Sequence, residues 1–110
     1  MIDSLKSYEE TINKPGVTFV VFISEWCPDC HVADRFMPHL ETMYPDFNVI
    51  RVNRESLPQL SNHLNIYGVP SFLLYKNGTL IGQFISRSRK SFDEVKSFIE
   101  STCQKEGCET

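Results

Sequence analysis

The sequence predicts an α/β fold, a central sheet with helices packed on both faces. Three observations carry that expectation. Helix-period and strand-like segments follow one another in the order α-β-α-β-α-β-β-α. Residues 17–24, "VTFVVFIS", form an unbroken β-branched and aromatic run suited to a strand buried on both faces. In "SFLLYKNGTLIGQFI" two apolar runs flank Asn77-Gly78, whose tolerance of positive φ favours a tight antiparallel hairpin.

Each element has its own signal. Ile2, Leu5, Tyr8 and Ile12 fall at helical spacing, giving a short first helix that ends near "NKPG". After the strand at 17–24, Val32, Phe36, Leu40 and Met43 mark one face of a helix of about fifteen residues. "FNVIRVN" (47–53) reads as a second strand, and the βαβ unit so formed should be parallel with a right-handed crossover. A shorter helix is expected near 55–64, with Leu57, Leu60 and Leu64 on or near one face. Ser91 and Glu94 form a capping box before a last helix striped by Phe92, Val95, Phe98 and Ile99.

A chain of 110 residues without repeats, linkers or low-complexity tracts suits one domain. Its expected span is 1–102, with 103–110 a short flexible tail. The net charge of −3 gives no reason to expect nucleic acid or an anionic membrane as partner. "MIDSLKSYEE" lacks the basic and apolar regions of a secretory signal, and no apolar run approaches a membrane span. The expectation is therefore a cytoplasmic, monomeric protein. Four cysteines, at 27, 30, 103 and 108, are few for a disulfide-stapled scaffold. A close pair in a reducing compartment points to catalysis or to metal binding.

The close pair lies in "EWCPDCH" (25–31). Residues three apart at helical rise lie about 5 Å apart at Cα, inside the range a disulfide accepts. Pro28 suits the first position of a helix, where its missing N–H costs nothing. Cys27 then stands at the helix N-terminus, where free N–H groups and the macrodipole favour a thiolate. Cys30, one turn in, should be the more covered, which makes Cys27 the nucleophile and Cys30 the resolving thiol. Asp29 is either a good first-turn residue or an electrostatic opponent of the thiolate, one that favours the disulfide and makes the protein a reductant. His31 acts the other way only when protonated, and an ordinary imidazole is mostly neutral at pH 7. Inert packed thiols are the bland alternative. A zinc site is another, weakened because Cys103 and Cys108 do not form a second tight ligand pair.

A strand, a C-x-x-C pair and a helix in that order are a thioredoxin-like signal, and the sequence resembles the thioredoxin family over nearly its whole length. "WCPDC" is similar to the family's Trp-Cys-x-x-Cys, with Pro-Asp where ordinary thioredoxins carry Gly-Pro. "YGVPSFLLYKNG" (67–78) resembles its second signature. The nearest pattern is that of small stand-alone bacterial thioredoxin-like proteins with Trp-Cys-Pro-Asp-Cys. The resemblance implies the thioredoxin fold, a central mixed four-stranded sheet in which the strand at 71–76 runs antiparallel to its neighbour. It implies a cis-Pro70 facing the cysteines, a Val69 backbone offered to a substrate strand, and Trp26 as an apolar lip for substrate. It also implies a thiol-disulfide oxidoreductase acting mainly as a disulfide reductase, with no bound cofactor beyond the Cys27–Cys30 disulfide and no metal. Disulfide-bearing proteins or small-thiol mixed disulfides are the implied substrates. A thioredoxin reductase-like flavoprotein or a low-molecular-weight thiol is the implied electron donor.

The sequence departs from the family pattern at several places. Val21 stands where thioredoxins usually bury an aspartate, and Arg51 replaces the accompanying lysine. The helix-kinking proline is Arg35, with Pro38 three residues further on, and "FISRSRK" replaces a glycine near the substrate groove. "RSRK" (87–90) reads as a solvated loop, or else as a rim attracting an acidic thiol or partner. His39 and His63 read as surface helix residues. Cys103 and Cys108 read as mobile thiols or, less simply, as a second exchangeable disulfide. Against the reductase stands one rival of a different class, a thioredoxin-fold module that docks partners without turnover.

Overall fold

The computed structural model describes residues 1–108. A four-stranded sheet runs through its centre in the order β2-β1-β3-β4. Strand β1 (Val17–Ile23) is buried at every position. It pairs in parallel with β2 (Asn48–Asn53), which sets Val21 beside Arg51. On its other side it pairs antiparallel with β3 (Ser71–Lys76), so the expected mixed sheet is present. Asn77 (φ 50°) and Gly78 (φ 89°) turn the chain into β4 (Thr79–Phe84) through left-handed backbone, as the Asn-Gly pair requires.

Alternation along β1 divides the core in two. Val17, Phe19, Val21 and Ile23 pack with Cys30, Ala33, Met37 and Leu40 of α2 (Pro28–Met43) and with Val95 and Ile99 of α4 (Phe92–Glu106). Val20 and Phe22 pack on the opposite face with Tyr8 of α1 (Leu5–Ile12), Ile66, and the leucines around α3 (Pro58–His63). The result is three layers, helix–sheet–helix. Ser91 and Glu94 form the expected capping box at the start of α4. No helix of the described residues is long and apolar enough to cross a membrane.

Several expected boundaries and faces move. Ile2 bridges in parallel to Val52 rather than joining α1, because an edge backbone on β2 offers it a ladder partner. The buried stripe of α2 is Cys30, Ala33, Met37 and Leu40, while Val32 and Phe36 are half-buried and Met43 is exposed. Packing Cys30 inward sets that phase. Helix α3 is shorter than expected, since Pro58 can only open it. Helix α4 carries on past 102 to Glu106, and Cys103 is bonded to Cys108. Residues 103–108 are thus helix and a disulfide-closed turn, not a loose tail with two free thiols. Lys76 Nζ also donates to the Gly107 carbonyl there. The last two residues of the expected tail lie outside the described residues.

One buried polar contact ties α1 to the sheet: the hydroxyls of Tyr8 and Tyr75 lie 2.7 Å apart, and burial pushes both phenols above their usual range. Tyr8→Phe should cost about 1–3 kcal/mol, because it strands the buried Tyr75 hydroxyl. The double Tyr8→Phe, Tyr75→Phe variant should recover most of that loss. Denaturant unfolding of the three proteins measures it.

Candidate active site

Beyond β1 the chain turns, with the Cys27 N–H donating to the Ser24 carbonyl at 3.3 Å. Cys27 is the N-cap of α2, in extended backbone, and Pro28 occupies the first helical turn. The Cys30 N–H donates to the Cys27 sulfur at 3.1 Å. The Cys27 carbonyl meanwhile accepts from the N–H groups of Cys30 (3.1 Å) and His31 (3.4 Å). One helix-start donor, the Cys30 N–H, therefore reaches the Cys27 sulfur, where a thiolate would draw on it.

Both cysteines are free thiols, Cys27 half-buried and Cys30 only 2% exposed. Burial pushes the Cys30 thiol up to about 12, and its hydrogen bond with Cys27 adds to the rise. A bond from the Ser24 backbone opposes it, and the charges of Cys27 and Asp34 reinforce it weakly. One sulfur is thus reachable and supplied with a backbone donor, while the other is held neutral below it. That asymmetry is what an attacking and a resolving thiol need.

The segment around Pro70 faces this pair. The Val69–Pro70 peptide is cis, and the Cys27 thiol points its proton at the Val69 carbonyl, 3.6 Å away. Pro70 is buried, and Val69 is half-buried. The Ser71 hydroxyl donates to the Gly68 carbonyl at 2.6 Å and closes the turn. Gly68 is itself pressed against the segment that follows β4: a Cβ there would lie 2.2 Å from the Ser86 carbonyl oxygen. Trp26 stands beside Cys27 with 87% of its surface exposed, and His31 is exposed on α2.

Charge at the site is arranged differently from what the sequence alone implied. Asp29 does not face Cys27 as a lone carboxylate, because Arg89 Nε donates to it at 3.1 Å. Nor is "RSRK" simply solvated. Lys90 is 1% exposed and donates to the carbonyls of Ser86 (3.0 Å) and Ser88 (2.8 Å). Sequence reasoning placed Arg89 and Lys90 only in a cationic rim or solvated loop, and missed the Arg89–Asp29 contact and the burial of Lys90. Their only signal was a cluster of cations before the α4 capping box, and nothing local shows that this stretch returns to α2. Val21 is 1% exposed in the core, so no carboxylate occupies that position. Arg51 reaches Asp34 (3.4 Å) and Glu41 (3.8 Å) on the outer side of α2. His39 packs edge-on against Phe92 at the surface. Among the described residues no three His, Cys, Asp or Glu side chains converge on a metal position.

Two outcomes are expected. The Cys30 thiol, at 9.0 ordinarily and about 12 in the fold, contributes stability in full below about pH 9 and loses it as pH rises towards 12. Denaturant titrations should show that slope in the reduced protein and not in the oxidised one. Gly68→Ala must displace the 86–87 backbone, so it should destabilise by about 1–3 kcal/mol and slow thiol exchange, read by unfolding and by turnover.

Comparison with known proteins agrees with this geometry. The thioredoxin family model matches residues 1–101. A thioredoxin from Alternaria alternata is 27% identical over 96 residues, covering 86% of this chain and 80% of the relative. The thioredoxin of Gallus gallus is 24% identical over 101 residues, covering 89% and 96%. Among solved structures, Plasmodium falciparum thioredoxin superposes with a TM-score of 0.79 at 23% identity, over 91% of this chain and 95% of that one. Oxidised mitochondrial thioredoxin 3 from Saccharomyces cerevisiae gives 0.77 at 21% identity, over 90% and 92%. With a family match across residues 1–101 and a cysteine pair at the helix start where that family performs dithiol exchange, the chain belongs to the thioredoxin family of thiol-disulfide oxidoreductases.

Proposed function

We propose that the protein reduces disulfides in a two-step exchange, with Cys27 as nucleophile and Cys30 as resolving thiol. The observation that carries this reading is the unequal pair itself: Cys27 receives the Cys30 N–H at 3.1 Å, while Cys30 is buried with its thiol pushed up to about 12. The Cys27 thiolate attacks one sulfur of the substrate, forming a Cys27 mixed disulfide and releasing the other sulfur as a thiol once it takes a proton. Cys30 then gives up its proton and attacks the Cys27 sulfur. The bond from Cys27 to substrate breaks, the Cys27–Cys30 disulfide forms, and two electrons have passed to the substrate.

A substrate strand lies along Val69 and Pro70, where half-buried backbone opens towards Cys27. Trp26 serves as its apolar lip, and its exposure supports that role. The substrates are disulfide-bearing proteins or mixed disulfides with small thiols, and a flavoprotein reductase or a low-molecular-weight thiol returns the electrons. The reductive direction is supported by Cys30, since a thiol held against ionisation gives the reduced form no special stabilisation. Asp29 tunes in the same direction, reduced by whatever share of its charge Arg89 compensates. The proposed compartment is the cytoplasm, since four cysteines are few for a disulfide-stapled scaffold, and the proposed state is a monomer.

Reduction of a protein disulfide by wild type, Cys27→Ser and Cys30→Ser tests the reading. Cys27→Ser should fall to the uncatalysed rate. Cys30→Ser should accumulate a mixed disulfide at Cys27, visible by mass. Dithiol-dependent turnover in Cys27→Ser would remove Cys27 from the role.

A further inference from the structure

The Cys103–Cys108 disulfide takes no part in the exchange described so far. Its cysteines are 5 positions apart, one in the last turn of α4 and the other just beyond that helix. A cross-link over so short a loop removes little freedom from the unfolded chain. The turn is also closed without it. The Gly107 N–H donates to the Cys103 carbonyl at 2.8 Å, and Lys76 Nζ donates to the Gly107 carbonyl. As a staple the bond is redundant.

Its surroundings suit exchange instead. Both cysteines are half-buried and line an open cleft of about 640 Å³, shared with Tyr44, Phe47 and Ile99. A sulfur from another molecule can approach through that opening. Lys76 places an ammonium at the turn, where it favours a sulfur leaving as thiolate. In the cytoplasm proposed above, the disulfides that do occur are usually catalytic or redox-sensing.

The chain's own dithiol cannot be the attacker. Cys27 caps the start of α2, whereas Tyr44, on the wall of the cleft, caps its end. The 16 residues between them put those ends about 24 Å apart, far beyond bonding contact.

We propose that Cys103–Cys108 is a second redox centre, reduced in trans by the Cys27–Cys30 dithiol of another copy of this chain. The proposal rests on the reductase reading. The donor's Cys27 thiolate attacks one sulfur of Cys103–Cys108, that bond breaks, and the departing sulfur takes a proton. Donor and acceptor are then joined by a mixed disulfide. The donor's Cys30 gives up its proton and attacks the Cys27 sulfur, and the acceptor's second sulfur leaves and is protonated. The donor ends with a Cys27–Cys30 disulfide, and the acceptor with two thiols and two more electrons.

The test uses a Cys27→Ser, Cys30→Ser acceptor, which keeps only the Cys103–Cys108 pair, and a reduced Cys103→Ser, Cys108→Ser donor. After mixing in equal amounts, alkylation and mass measurement should show the acceptor gaining two thiols and the donor losing two. A donor also carrying Cys30→Ser should stop at a heterodimer joined through Cys27. Insulin is the control substrate. A donor that reduces insulin but leaves Cys103–Cys108 closed overturns this inference alone, and one that reduces neither overturns the reductase reading with it. Wild-type protein equilibrated across ratios of reduced to oxidised dithiothreitol gives a second measurement that needs no variant. Cys103–Cys108 should open at a ratio no more reducing than Cys27–Cys30 requires. A bond still closed where Cys27–Cys30 is fully reduced would overturn the inference, however the variants behave.

Discussion

The structure depends first on a strand with no solvent face. Every residue of β1 is buried, and its side chains alternate between the α2–α4 layer and the α1–α3 layer. A strand so committed cannot slide without turning each side chain onto the wrong set of neighbours. Its end is therefore a fixed point, and the turn from Ser24 to Cys27 places the first sulfur with respect to that point. The same burial reaches Cys30, which belongs to the core cluster of α2 and is kept neutral by it. Packing and thiol chemistry are here one constraint seen from two ends.

Around that fixed point the charges fall into two kinds. Arg89 with Asp29, and Arg51 with Asp34 and Glu41, are partly exposed pairs whose worth water and salt reduce. Lys90 is the other kind, a dry cation held on the Ser86 and Ser88 carbonyls, where water and salt screen little. Thioredoxins usually bury an acid near their thiols. In this chain that position is apolar, and the one buried charged side chain among the described residues is a base that arrives from the loop after β4.

Most of the fold was legible because its signals are local. The continuous run of β1, the Asn-Gly turn and the Ser91–Glu94 box each state their conformation within a few residues. The cysteine pair was legible for the same reason, and so was the greater burial of Cys30, which follows from its place one turn into a helix. What escaped were contacts between distant segments. Arg89 meets Asp29 across 60 positions, and Gly68 meets Ser86 across the hairpin. The stripe of α2 was read one residue off, since Val32 and Phe36 compete with Ala33 and Met37 for the inner face and only tertiary packing decides. Polar endings misled too: "QKEGCET" has the composition of a frayed end, yet the Cys103–Cys108 bond closes it.

Trp26 gives the molecule an optical property. It is the chain's one tryptophan, it adjoins Cys27, and it stands almost wholly in water. Indole emission from this protein therefore comes from the rim of the cysteine pair and from nowhere else. Closing the disulfide, or laying a substrate against that rim, alters the signal with no background from the core. Unfolding scarcely alters the indole's solvation, so the wavelength of its emission says little about denaturation, while its intensity follows the neighbouring sulfurs.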